Sequence, residues 1–162
     1  MFEVFGFYKF KKLKSLKKNK ILLQVFLIKK KIKGTIIVSK EGINATISGR
    51  SADVKSTINK IKKIFDFIKF DSENVSKSKF QPFHKAKVKI KKEVVPMGFL
   101  LSSKNKKYNH IEPKKWNKLI KNKDTLIIDS RKPFEYKVGT FKKSINPNVN
   151  NFREFPKYLN KL

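Results

Sequence analysis

No cysteine occurs anywhere in the 162 residues. That absence removes disulfides, zinc–thiolate centres and thiol nucleophiles from the chemistry these residues can perform alone. Histidine is limited to His84 and His110, and the 12 acidic residues show no pairs at metal-ligand spacing. A protein-built metal site is therefore not expected, and no cofactor is identifiable. Long apolar runs are also missing. Residues 21–28 are apolar but short and charged on both flanks, far from the roughly 18 apolar residues a membrane span needs. The first ten residues, MFEVFGFYKF, are strand-like and lack the layout of a cleavable signal. No membrane association is expected, and the cytoplasm is the default location.

Arginine is nearly absent. Arg50, Arg131 and Arg153 stand against 38 lysines, and the formal net charge is +29. Two readings of that charge stay open. Each phosphate neutralised by a cation releases counterions and adds sequence-independent affinity, which fits a nucleic acid partner. The same lysines, with abundant Asn, Ile and Phe, match the usage of a very AT-rich genome, where surface positions drift to Lys whatever the function. What is present suffices for a core. Hydrophobic residues make up 39% and aromatics 12%, with 15 Phe, so the chain is not compositionally disordered. Its length suits one or two small domains.

Residues 2–8 are rich in β-favouring apolar side chains and predict a first strand. Residues 9–33 carry Leu13, Leu16, Leu22, Leu23, Phe26 and Leu27 at spacings of an amphipathic helix whose lysines form the solvated face, with Gly34 as its stop signal. Two β-branched runs follow, 35–39 and 44–48, joined through Lys40-Glu41-Gly42-Ile43; this is the strongest hairpin signal in the chain. Ser51 is placed to cap a helix bearing Val54, Ile58, Ile61, Ile64 and Phe65 at helical spacing. A short strand is expected at 67–70, and an edge or half-buried strand within 85–95. The order strand, helix, strand, strand, helix, strand, with one strand more, is that of an α+β βαββαβ ferredoxin-like plait, close to the acylphosphatase-like fold.

Pro96 opens a linker that runs through the polar stretch to Asn109. Beyond it the grammar becomes α/β: a helix over 113–120 with Trp116 and Leu119 inward, a continuous apolar strand over 125–129, a loop, and a last short helical piece. Only one or two strands are available there, too few for a free-standing parallel sheet.

Four blocks, GTIIVSKEGINATISG, KSKFQPFHKAKVKIKKEVV, YNHIEPKKWNKLI and TLIIDSRKPFEYKVGTFKKSINPNVNNFREFP, are similar in order and spacing to the rhodanese-related tRNA uridine(wobble) hydroxylases, over nearly the whole chain. The resemblance implies an acylphosphatase-like domain over 1–95, a linker over 96–109, and the N-terminal part of a rhodanese-like α/β domain over 110–162. It implies oxygen-dependent 5-hydroxylation of the tRNA wobble uridine, with molecular oxygen as co-substrate and tRNA as partner. It also implies that Asp129, Arg131 and Glu135 hold the strand-end loop through ion pairing, a task suited to the bidentate guanidinium. Where this chain has Lys132 the family usually shows Asn, which leaves the local hydrogen bonding open. The family's reactive Cys opens a loop that the resemblance places beyond Leu162. Ser130 and Thr140 have no nearby histidine base to replace it. The expectation is a fragment, a split product whose rhodanese-like domain a separate chain completes, or a degenerate member.

Two clusters are candidates for RNA contact. In the first, the turn shaped by Gly42 and Asn44 presents Lys40; the bland alternative is turn geometry alone. In the second, Lys77, Lys79, Phe83 and His84 interleave cations with aromatics, able to meet phosphate and stack a base. The alternative is that Phe80 and Phe83 fill the core and His84 is a surface residue. Three functions are thus carried forward: a tRNA-modifying oxidoreductase, a non-catalytic basic tRNA-binding module, and a rhodanese-type sulfurtransferase.

Overall fold

The computed structural model describes residues 1–95 and 111–162, so the expected linker over 96–109 lies outside the described residues. The chain divides into two compact units, with the division after Val95. In the first, β1 (Phe2–Phe10) lies between β3 (Gly42–Gly49) and β4 (Ser72–Ser78), antiparallel to both. β3 continues antiparallel into β2 (Lys33–Ser39), and β5 (Ala86–Ile90) adds in parallel on the far side of β2. The sheet order is β4-β1-β3-β2-β5, with α1 (Leu16–Lys29) and α2 (Ser51–Phe65) as its two long helices. This is the βαββαβ plait with a fifth strand at the edge.

One sheet face builds the core. Phe5 and Phe7 of β1, Ile36 and Val38 of β2, and Ile43, Ala45 and Ile47 of β3 alternate inward and pack with Leu23 and Leu27 of α1 and Val54, Ile61 and Phe65 of α2. Each of these side chains apart from Ala45 contributes roughly 1.5–3 kcal/mol on burial. Period-two alternation in the strands and three-to-four spacing in α2 make this face apolar, which is why the plait closes here.

Several local expectations are corrected. The residues around 67–70 form no strand. Asp66 adopts a left-handed conformation (φ 54°) that ends α2 and turns the chain back. Phe67 and Phe70 then plug the core, the Phe70 ring 4.2 Å from that of Phe7. Their alternation marks two inward anchors in a loop. The fourth strand instead starts at Ser72, in a polar run with little β signal, because backbone pairing with β1 supplies what side-chain burial does not.

Gly34 does not stop α1. The left-handed residue after that helix is Lys31 (φ 52°), and Gly34 sits within β2 at φ +125°. There a Cβ would run into the Thr46 carbonyl oxygen of β3. Ser51 does not cap α2: it is the first helical residue, and its hydroxyl donates to Glu3 Oε2 at 2.7 Å. α1 is less amphipathic than expected, with Leu23 and Leu27 fully buried but Leu22 44% exposed. The hairpin stands, with Ser39 opposite Gly42 and Lys40-Glu41 as its two-residue loop.

The edge strand β5 is protected by α1. Gln24 donates from Nε2 to the Ala86 carbonyl at 3.0 Å and accepts the Val88 amide at Oε1, 2.9 Å. A side chain thereby occupies ladder positions that an unpaired edge leaves open to another chain.

In the second unit, α3 (Pro113–Leu119), α4 (Pro133–Val138) and α5 (Phe155–Leu159) are short. The continuous strand expected over 125–129 is reduced to a single parallel bridge between Ile128 and Ile145. Ile127 is buried while Leu126 is 53% exposed. An apolar run forms a ladder only where partners flank it, and among the described residues one partner segment does so.

Candidate functional site

The second unit concentrates its polar geometry on one carboxylate. Asp129 stands at the end of the extended run, fixed there by its amide donating to the Ile145 carbonyl at 2.9 Å. Arg131, two residues on, folds back onto it. The guanidinium donates from Nε to Oδ1 at 2.9 Å and from Nη2 to Oδ2 at 2.6 Å, and the Arg131 amide donates to Oδ1 at 3.1 Å. Thr140 completes the ring, its hydroxyl donating to Oδ2 at 2.8 Å. Arg131 Nη2 also donates to the Gly139 carbonyl at 2.6 Å, so one guanidinium joins both limbs of the loop around α4.

A further layer holds the limbs together. Asn146 donates from Nδ2 to the carbonyls of Asp129 and Arg131, both at 2.8 Å, and the Tyr136 hydroxyl donates to the Ser144 carbonyl at 2.9 Å. Glu135 does not bond to the guanidinium. It accepts the Lys132 amide at 3.2 Å and so caps the start of α4, while its charge adds to the field that raises the proton affinity of Arg131 after the larger effect of Asp129. Lys132 therefore enters the frame through its backbone. Thr140, Asn146 and the Gly139 carbonyl are partners that sequence reasoning missed. Thr140 stands beside Gly139 in a stretch that reads as a loop, and no local signal pointed to its role.

The network borders a concavity of about 480 Å³ lined by Trp116, Ile127, Asp129, Arg131, Thr140 and Phe141. Trp116 meets Phe141 edge-on with ring centroids 5.2 Å apart. Its apolar wall and single charged rim suit a small group oriented by few polar contacts.

The hydrogen bond from the Arg131 guanidinium, reinforced by the Thr140 hydroxyl and the Arg131 amide, holds the Asp129 carboxyl far below the ordinary carboxylate range, against the opposing effect of desolvation. The sign follows. A depressed folded-state pKa stabilises above the unfolded value of about 3.9 and is lost only as pH falls further. Emission from Trp116, the only tryptophan, is expected to be flat from pH 8 to about 5 and to change only below about pH 4. A midpoint near neutrality would contradict this.

In the first unit the two RNA-contact clusters are not brought together. Lys40 is exposed on the β2–β3 turn, beside the Phe10 end of β1, where the Lys11 amide donates to the Glu41 carbonyl at 3.1 Å. Lys77 pairs in register with Glu3 at the opposite end of β1. Lys79 and His84 are exposed and Phe83 half-buried in the following loop, and Phe80, weighed as core, is 71% exposed. Among the described residues no group of three or more His, Cys, Asp or Glu is placed to hold a metal ion, and no helix is long and apolar enough to cross a membrane.

The strand order and the core define an acylphosphatase-like α+β plait. A family model described as the UPF0176 acylphosphatase-like domain matches residues 2–94, and the chain belongs to that family. Along all 162 residues it is 80% identical to a tRNA uridine(34) hydroxylase of Pelagibacter ubique (strain HTCC1062), covering 54% of that protein. It is 37% identical over 97% of its length to the tRNA uridine(34) hydroxylase of Wolbachia pipientis subsp. Culex pipiens (strain wPip), covering 56% of it. The chain thus spans about half the length of the curated relatives it matches. Among solved structures, the acylphosphatase from Bacillus subtilis is similar at 15% identity and a TM-score of 0.40, over 54% of this chain and 97% of that one.

Proposed function

We propose that these residues form the tRNA-holding domain and the opening frame of the reaction domain in a hydroxylase acting on the wobble uridine of tRNA. The observation that carries this reading is the 80% identity to a tRNA uridine(34) hydroxylase sustained over every residue of the chain. The first unit supplies the plait and much of the cationic surface. The second, read as the N-terminal part of a rhodanese-like domain, supplies the Asp129–Arg131–Thr140 ring, which fixes the two limbs of a strand-end loop. None of the three is assigned a step on the substrate; they are positioning residues. In the reaction the C5–H of the uridine becomes C5–OH: one atom of molecular oxygen enters the base, and the other leaves as water with two electrons and two protons from a separate two-electron donor. The reacting thiol comes from outside these 162 residues, from the remainder of a longer polypeptide or from a separate chain. A cytoplasmic location follows from the substrate.

A second reading, a non-catalytic tRNA-binding module, draws on the absence of cysteine together with the +29 charge. Both readings expect the purified chain to bind tRNA, with affinity falling about 10³-fold or more between 50 and 200 mM salt. Both expect nucleoside analysis after incubation with tRNA and oxygen to find no 5-hydroxyuridine from the chain alone. Product formed by the chain alone would contradict the assignment of the thiol, and salt-independent binding would contradict the tRNA-holding role.

A further inference from the structure

The helices cover one face of the five-stranded sheet; the register fixes what the other face carries. Tyr8 of β1 lies opposite Asn44 of β3, which lies opposite Ile37 of β2, which lies beside Lys89 of β5. In the next row Gly6 faces Thr46, Thr46 faces Thr35, and Thr35 lies beside Lys87. Phe10 flanks Tyr8 along β1, with ring centroids 5.8 Å apart and edge-on. Thr46, Lys87 and Lys89 are exposed, and Tyr8, Phe10 and Asn44 are half-buried. No strand position on this face is acidic: Glu3 and Glu73 both alternate to the helix side, in register with Lys77 and Phe7.

We infer that this open sheet face binds a single-stranded RNA loop, with a base stacked on Tyr8 and the backbone phosphates running toward Lys87 and Lys89. The inference rests on the tRNA reading above and names the surface that reading leaves unspecified. Three features select the partner. Aromatic rings in the middle of a sheet offer stacking to unpaired bases, which a duplex keeps stacked on each other. Asn44, Thr46 and Thr35 put hydrogen-bonding groups beside those rings, suited to base edges and 2′-hydroxyls rather than to an apolar protein surface. A face with cations and no strand acid is complementary to an anionic strand. Lys87 and Lys89 lie three strands from Tyr8, roughly 14 Å at the spacing of a sheet, a span that a few nucleotides bridge. The ends of the face fit the same path. The loop carrying Lys79, Phe80 and His84 reaches one end, where Gln81 Nε2 donates to the Ser48 carbonyl at 3.2 Å, and the Lys40 turn stands at the other. The Lys40 turn and the Lys79–His84 loop thus flank one surface, while Lys77 of the second cluster alternates to the helix side.

The test uses the whole 162-residue chain and two labelled RNAs of equal length: an anticodon stem-loop with a uridine at the wobble position, and a blunt duplex. The wild-type chain is expected to bind the stem-loop at least tenfold more tightly. Tyr8→Ala is expected to weaken stem-loop binding by roughly 10-fold or more, and Tyr8→Phe, which keeps the stacking ring, to restore it. Lys87→Glu with Lys89→Glu is expected to weaken binding at least tenfold and to lower the salt slope by about 1.4, the value for two lost single-strand phosphate contacts. The charge-matched pair Lys17→Glu with Lys20→Glu on α1 is expected to cost less than threefold. Circular dichroism confirms that each variant is folded. Stem-loop binding that survives both face substitutions, or a helix-side pair that costs as much, overturns the surface while leaving the tRNA reading intact. Absence of RNA binding by the wild-type chain overturns both.

Discussion

Gly34→Val is expected to destabilise the first unit by on the order of 3–5 kcal/mol, from backbone strain and overpacking together. Gly34 lies at φ +125°, a conformation that residues with a Cβ rarely adopt. An added Cβ would run into the Thr46 carbonyl oxygen and lie 2.8 Å from Ile47 Cα, and neither is the free end of a flexible side chain. β2 pairs with β3 and β5 at once, so moving it disturbs two ladders. Against a total stability of about 5–15 kcal/mol for an ordinary domain, that loss is large enough to leave a sizeable unfolded fraction. Urea titration followed by far-ultraviolet circular dichroism measures it. Gly139→Ala is the contrast: nothing lies within 4 Å of the added Cβ, and a change within about 0.5 kcal/mol is expected. An unchanged midpoint for Gly34→Val would show that the β2–β3 register is wrong.

Arg131→Lys is expected to lower uridine hydroxylation by about 10²-fold while leaving tRNA affinity unchanged. The measurement uses a hybrid in which this chain replaces the matching portion of the Pelagibacter ubique hydroxylase. Arg131 places two nitrogens on the Asp129 carboxylate and shares one of them with the Gly139 carbonyl. A lysine ammonium is a compact charge on a flexible stem and cannot reproduce that fork. The limbs of the loop would shift, and a displacement of about 1 Å at a catalytic frame costs on this scale. Equal loss of tRNA affinity would instead assign Arg131 to substrate binding.

The plait was legible in the chain because its signals are local. The β-branched runs on either side of Lys40-Glu41 specify a hairpin, and Val54, Ile61 and Phe65 specify the buried side of α2. What escaped reading depends on partners distant in sequence. Phe67 and Phe70 alternate like a strand, yet they are loop anchors for a core formed by Phe5 and Phe7, more than fifty residues earlier. The polar run from Ser72 to Ser78 became β4 because β1 offered a free edge. Gly34 reads as a helix stop by composition alone, and only its approach to Thr46 explains it.

At the site, the pairing of Asp129 with Arg131 spans two residues and was within reach of a motif. Thr140, eleven residues from Asp129, and Asn146, seventeen residues from it, enter only once the loop around α4 is closed. The open face was hidden for a related reason. Its residues come from five strands, and alternation within one strand does not say which neighbours complete a row.

The measurement that bears most directly on the account is nucleoside analysis of tRNA from a host lacking its own wobble-uridine hydroxylase and expressing the unsubstituted hybrid. 5-Hydroxyuridine is expected at the wobble position at a level close to that given by the Pelagibacter ubique protein. A folded, tRNA-binding hybrid that leaves the wobble uridine unmodified would contradict it.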